Sequence, residues 1–355
     1  MGNPGLSEAR PVSDTSSLSP GTGERPVLLI LPRMHGFFSL VFQAVGQAHL
    51  AEKAGQVPVV YFNRHCPYWS DAGYQGARNV WTYFFEPLSD VAVGDLFSAD
   101  RARLESGTVD DFQALAQGSR VVVTDLYPDV VEYFSPLGVN FDRNFVHGLM
   151  KKFVRLKPAL RAKVDDFHQA HFGSQRVLGV HYRGIEKTQG AFKDGVVLRR
   201  TPGLKQAFLR EMGRRIGAEP GLRVFVATDS VQFLEEAKDA FGEAVFCREA
   251  RRLESNDEAV GLHFSAEART HGPMLAEEVL LDALLLARTD FLIHGVSNVS
   301  NAALFLNPRL RHLDIEVKYG RTRIYLRREF YRQLRKRLPR VAKLVQRTES
   351  LLRRH

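Results

Sequence analysis

Residues 176–190 read RVLGVHYRGIEKTQG, and their reading decides the fold. Val177, Leu178, Val180 and Tyr182 are strand-forming and mostly apolar, so the first half predicts a buried strand. The second half changes character: His181, Arg183, Glu186 and Lys187 gather around Gly184. A buried strand that delivers two cations, a histidine and a carboxylate to its C-terminal edge suits anion binding, because ligands of open α/β sheets sit beyond those edges. Arg presents a planar donor fork that matches phosphate oxygens, and Lys presents a point charge. Together they can neutralise a diphosphate without a metal. The plain alternative is a strand end with solvated charges.

Outward from this strand the chain alternates strand and helix. C-terminal to it come a helix over 201–216, a strand over 223–228, a helix over 231–241, a short strand over 244–247, a helix over 275–287, a strand over 290–294 and a helix opening at 298. N-terminal to it lie a strand over 27–31, a helix over 38–54, a strand over 57–62, a strand over 120–124 and a helical, basic stretch over 144–170. Such βα alternation predicts parallel, Rossmann-like sheets. The 355 residues are too many for one ordinary core and suit two domains, taken here as 26–170 and 171–320.

Other residues converge on the same sheet edge. Asp229 ends the buried strand VFVAT, on the ligand side of a doubly wound sheet; capping the following helix is its alternative role. Asp282 lies in VLLDALLLA, apolar on every side. A carboxylate buried there must be paired or hydrogen-bonded, and a structural pair with an Arg of the same domain is the alternative to a role in ligand binding. Residues 295–301 (GVSNVSN) sit between a strand and a helix. Small polar residues at a helix start expose backbone N–H groups and a positive dipole end, which hold phosphate; Ser297, Asn298 and Ser300 would add hydroxyl and amide donors. In the first half, Arg33 and His35 follow the first strand beside Gly36 and are candidates for the opposite, acceptor-side wall, with a surface loop as the alternative. Trp69 and Tyr74, in the aromatic stretch 63–88, could stack on a sugar face or simply pack over the sheet edge.

Composition narrows the class. Apolar content of 44% and charged content of 25% are globular values. No run approaches the ~20 apolar residues that span a membrane. Residues 1–25 are rich in Ser, Pro and Gly, lack an apolar signal core and are expected to be disordered. Two cysteines, Cys66 and Cys247, argue against a disulfide framework and suit a reducing, cytoplasmic compartment. The net charge of +9 is uneven. Residues 321–355 hold thirteen Lys/Arg against Glu329 and Glu349, so the rest of the chain is close to neutral. That distribution argues against a nucleic-acid binder, which spreads its basic face over the folded domain. The stretch 321–355 reads as a basic amphipathic helix, lying on an anionic membrane surface at the inner face or packed back on the first domain. No Asp-x-Asp or His-x-His metal pattern lies at a plausible strand edge.

The block HYRGIEK resembles the first signature of the α-1,6-fucosyltransferase family, which runs His-x-Arg-Arg-x-Asp-Lys. His181, Arg183 and Lys187 match it, Glu186 replaces the Asp, and Gly184 stands at the second Arg. The blocks VFVATDS (224–230) and VLLDALLLARTDFLIHGVSNVSNAALFLNP (279–308) are also similar in order and spacing, so the resemblance covers roughly 175–310. It implies a GT-B fold: two Rossmann-like domains facing across a cleft. It further implies an inverting glycosyltransferase with no cofactor, whose donor substrate is GDP-fucose or another nucleotide-sugar and whose acceptor is a glycan or lipid-linked oligosaccharide. In that scheme Arg183 and Lys187 stabilise the leaving diphosphate, while His181, Asp229, Asp282, Ser297, Asn298 and Ser300 contribute to donor binding. The family's Glu a few residues past the Lys falls near Gln189, which cannot accept a proton; Glu186 is the substitute base, with Asp194 behind it. A non-catalytic sugar-nucleotide or glycan-binding protein is the rival reading.

Overall fold

The computed structural model describes residues 25–128, 142–184, 203–252, 266–295, 297–315 and 318. The stretch 1–24, residues Glu186 and Lys187, the alternative base Asp194 and the basic stretch 321–355 lie outside the described residues. Among the described residues, no helix is long and apolar enough to cross a membrane.

Two parallel sheets form. In the first, β1 (Val27–Ile30) lies between β2 (Val57–Val60) and β3 (Val121–Thr124). The crossover from β1 to β2 is α1 (Phe37–Lys53). Between β2 and β3 come the short helices α2 (Trp81–Phe84), α3 (Val93–Leu96), α4 (Arg101–Ser106) and α5 (Val109–Leu115). Every residue of β1 is buried because both faces are covered. Leu28 and Ile30 face α1, while Val27, Leu29 and Leu31 face Phe97, Leu104 and Phe112. That is the alternation a strand imposes.

The sequence reads one helix over 144–170; the structure has two, α6 (Arg143–Phe153) and α7 (Pro158–His171). Pro158 explains the break, since a residue before proline is pushed to extended backbone; Lys157 has φ −60° and ψ 144°. The second sheet follows, with β4 (Val177–Tyr182) at its centre. Then come α8 (Leu204–Ala218), β5 (Arg223–Thr228), α9 (Val231–Phe241), β6 (Val245–Phe246), α10 (Ala266–Leu286), β7 (Phe291–His294), α11 (Asn298–Leu306) and β8 (Arg311–Asp314). The strand order is β6-β5-β4-β7-β8, all parallel. The strand β8 goes beyond the sequence expectation, since RHLD is polar enough to pass for a loop; it is an edge strand with an exposed start. The helix read at 275–287 begins earlier, at Ala266, and kinks at His271 (φ −124°, ψ 19°) before Pro273.

The helices α10 and α11 of the second half join the core on the α1 face of the first sheet. Phe37, Phe38, Phe42 and Val45 of α1 cluster with Ala276, Leu280 and Ala283 of α10 and with Ala302 and Phe305 of α11. Phe42 meets Phe305 edge to face at 5.5 Å. The kink of α10 lies where Gly272 approaches the first sheet's aromatic loop so closely that a Cβ would stand 2.9 Å from the Pro67 carbonyl. Glu277, buried on α10, accepts from the Tyr74 hydroxyl (2.7 Å) and Gln75 Nε2 (2.9 Å) and pairs with Lys163 of α7. Both cysteines are free; Cys66 is buried and Cys247 half-buried.

Because Phe305 packs within this shared core, Phe305→Ala should cost about 3–5 kcal/mol. Urea unfolding should show the loss in a single transition; two separated transitions would show that the halves unfold independently.

Candidate nucleotide-sugar site

Strand parity sets the site. Leu178, Val180 and Tyr182 of β4 point into the core beneath α8 and α9, where Tyr182 stacks on Phe233 at 4.0 Å. Gly179 and His181 therefore point to the opposite face, toward α10 and α11. Gly179 has no room for a side chain: a Cβ would meet Thr289 Oγ1 at 2.7 Å. His181 is buried, and its Nδ1 donates to the Ala227 carbonyl at 3.1 Å, since a carbonyl can only accept. Arg183 follows at the strand's C-terminal end, half-buried. Its guanidinium acts electrostatically on Tyr68 in the first half of the chain, opposing the burial that raises the Tyr68 hydroxyl's pKa. Among the described residues Arg183 pairs with no carboxylate.

Asp229 does not cap α9. Ser230 does, its hydroxyl accepting from Phe233 N at 3.2 Å. Asp229 instead accepts from the backbone N–H of Gly184, tying the exit of β4 to the exit of β5. Asp282 has the partner its burial demands: Arg248, just past β6, at 3.3 Å. Burial dominates even so, and the Asp282 carboxyl is pushed up to about 6, with Arg248 and Arg252 pulling the other way. Arg248, Arg251 and Arg252 were not read from the sequence as site residues. They stand at this same edge; Arg251 pairs with Glu278 at 3.2 Å, and Arg252 Nε is buried with no hydrogen-bond partner among the described residues. Their signal in the sequence was the CREARR run after a short strand.

The start of α11 uses much of its own polarity internally. The Ser297 hydroxyl accepts from Val299 N (3.2 Å) as the cap. Ser300 is fully buried and its hydroxyl donates to the Gly295 carbonyl (3.3 Å). Asn298 Nδ2 donates to Ser39 of α1 at 2.7 Å, joining the starts of α1 and α11. What this helix start offers a ligand is its N-terminal backbone N–H groups and dipole rather than three side chains.

On the opposite wall, Arg33 is half-buried and His35 exposed in the loop before α1, with His35 N bonded to the Arg33 carbonyl (2.9 Å). The Tyr68 hydroxyl accepts from Phe37 N at 2.8 Å. Trp69 is a correction to the sugar-stacking reading: its ring is buried, Arg78 lies 5.7 Å over it, and Nε1 bonds Asp71. Tyr74 is half-buried, with its hydroxyl held by Glu277 and its ring against Tyr83 and Phe84. The aromatic stretch packs over the sheet edge because its rings have more to gain in the shared core than at a polar surface. Among the described residues no group of acidic, His or Cys side chains could hold a metal ion.

Beside His181, in register on β7, stands His294, also buried. Burial above all, with His312, His181 and Arg143 adding to it and the bond to Gly295 opposing it, lowers its pKa to about 3. Its signal in the sequence is its place at the end of the strand DFLIH, beside His181 only once the strands pair.

The chain matches no protein-family model, and it matches no curated protein by sequence. Solved structures are similar in fold. The α-1,6-fucosyltransferase NodZ co-crystallised with GDP superimposes with a TM-score of 0.51 at 18% identity, covering 82% of this chain and 96% of that one. NodZ soaked with GDP-fucose gives 0.50 at 18%, covering 81% and 94%. The fucosyltransferase NodZ from Bradyrhizobium gives 0.49 at 18%, covering 81% and 95%. The fold is therefore of the GT-B type, two α/β domains built on parallel sheets and joined through α1, α10 and α11.

His294 and Asp282, two titratable groups of this region, give opposite pH signatures. Below about 6.5 the unfolded chain protonates His294 while the folded chain resists until about 3, so stability falls with pH by up to about 1.4 kcal/mol per unit. Asp282, raised from 3.8 to about 6, is protonated first in the folded chain and offsets part of that loss. Denaturant titrations at pH 6.5 and 4.5 should therefore show a shallower loss in His294→Asn and a steeper one in Asp282→Asn than in the wild type.

Proposed function

We propose that this protein is a glycosyltransferase that binds GDP-fucose and passes the sugar to a glycan hydroxyl. The observation that carries the reading is the convergence of Arg183, Asp229 with the Gly184 backbone, Asp282 and the start of α11 at one sheet edge, facing Tyr68 and the start of α1. Such an edge suits a nucleotide diphosphate. The likeness in fold to NodZ, which has been solved with GDP and with GDP-fucose, supports this choice of donor.

In the proposed reaction the acceptor oxygen attacks the anomeric carbon on the face opposite the diphosphate. The new C–O bond forms as the bond from carbon to the phosphate oxygen breaks, inverting the centre, and the electron pair leaves with the diphosphate. Arg183 stabilises that developing charge, with Lys187 of the segment after it, and no metal is required. The acceptor's proton goes to a carboxylate, for which Glu186 is the candidate. The acceptor would be a glycan or lipid-linked oligosaccharide, met in the cytoplasm, with the basic 321–355 stretch against an anionic membrane. A second reading rests on Gly184 and Gln189, which replace an Arg and a Glu of the resembling family: the chain would then bind a GDP-sugar without turning it over.

Thermal denaturation with GDP, UDP, ADP, CMP or GDP-fucose, with and without EDTA, separates these readings. A GDP-selective shift insensitive to EDTA is expected, about 2.7 kcal/mol at ~100 times the dissociation constant. Arg183→Ala should weaken GDP binding more than tenfold, about 1.4 kcal/mol; unchanged affinity in the folded variant would remove Arg183 from the site. GDP binding with no hydrolysis or transfer of the sugar would favour the binding protein.

A further inference from the structure

The start of α11 rests on a pair of histidines whose tautomers the geometry fixes. His294 Nδ1 lies 3.0 Å from the Gly295 carbonyl, which can only accept, so Nδ1 carries the hydrogen. In the neutral ring Nε2 is then the acceptor. His312 Nδ1 stands 2.9 Å from that Nε2, so His312 must donate. The Gly295 carbonyl takes a second bond from Ser300. The chain therefore runs from His312 to His294 to the Gly295 carbonyl, with Ser300 closing it from inside α11. Two residues further on is Ser297, the cap of α11.

The surroundings keep this chain from switching. Among the described residues, the titratable groups acting on His294 are His312, His181 and Arg143, and the charged group acting on His312 is Arg143. Arg143 donates from Nη2 to the carbonyls of Asn307 and Leu310, which places a permanent cation beside both rings. A proton on His294 Nε2 would set two donors against each other and break the chain. Burial and Arg143 both oppose that proton. His312 itself lies on an exposed edge strand, so core packing does not account for its place against His294.

We propose that His312 is a positioning residue, which donates to His294 so that the buried pair holds the Gly295 carbonyl and sets the start of α11 for the donor's diphosphate. The assignment to a diphosphate rests on the donor reading given above. Loss of the His312 donor leaves the His294 Nε2 acceptor buried and unpaired, and His294 is then free to turn from Gly295.

His312→Phe keeps a ring at the exposed position and removes the donor; His312→Asn restores an N–H near the place of Nδ1. Hydrogen exchange at the Val299 and Asn301 amides, referred to amides of α8, reads the brace without any ligand. A rise of about tenfold in His312→Phe and near wild-type exchange in His312→Asn are expected. The GDP dissociation constant should rise about tenfold in His312→Phe and stay within about threefold in His312→Asn. Wild-type exchange in His312→Phe overturns the proposal, and so does equal loss in both variants, which would mean packing rather than donation. Altered exchange with unaltered GDP affinity overturns the link to the diphosphate. If the wild type binds no GDP, the donor reading fails and the exchange arm alone decides the brace.

Discussion

The packing of α10 and α11 against α1 is the constraint on which the rest depends. Each sheet, taken alone, has its ligand edge, but an edge becomes a two-walled crevice only when a second one is held opposite. Phe305 against Phe42 supplies the apolar part of that hold, and the Asn298 to Ser39 bond joins the two helix starts directly. The helix that fastens the domains, α11, is also the one that carries the proposed phosphate-facing turn. Interiors are close-packed and transmit displacement, so a shift at this joint moves the site.

Polar groups near the joint are arranged to satisfy buried atoms first. Glu277 gathers Tyr74, Gln75 and Lys163; Asp282 takes Arg248; His294 takes a donor on one side and a carbonyl on the other. Each avoids the cost of an unpaired polar group in a low-dielectric surrounding. The consequence for function is pre-organisation. Side chains that a sequence reading would give to the ligand, such as Ser300 and Asn298, instead fix the backbone around the start of α11.

Much of the fold was legible because buried strands are apolar on both faces and end in polar residues. The strands at 177–182 and 223–228 and the helix at 231–241 have the boundaries their sequences imply. The polar edge strand at 311–314 was not legible, since an edge strand needs no apolar run, and neither was the break before Pro158. At the site, Asp282 announced itself as a carboxylate among apolar neighbours that needed a partner. Its partner Arg248 did not, because it lies 34 positions away along the chain and meets Asp282 only through the order of the sheet.

The sequence by itself determined the local alternation, the strand that ends in His181 and Arg183, and the polar turn that opens α11. Period and composition are local properties, and each element carries its own. Only the tertiary structure decided which of the polar residues are free to meet a ligand. Trp69 is buried rather than open, Ser300 points inward, Asp229 holds the Gly184 backbone, and His294 meets His312 across two adjacent strands. Those outcomes depend on strand order and on the joint between the domains, which bring together residues that no spacing along the chain relates.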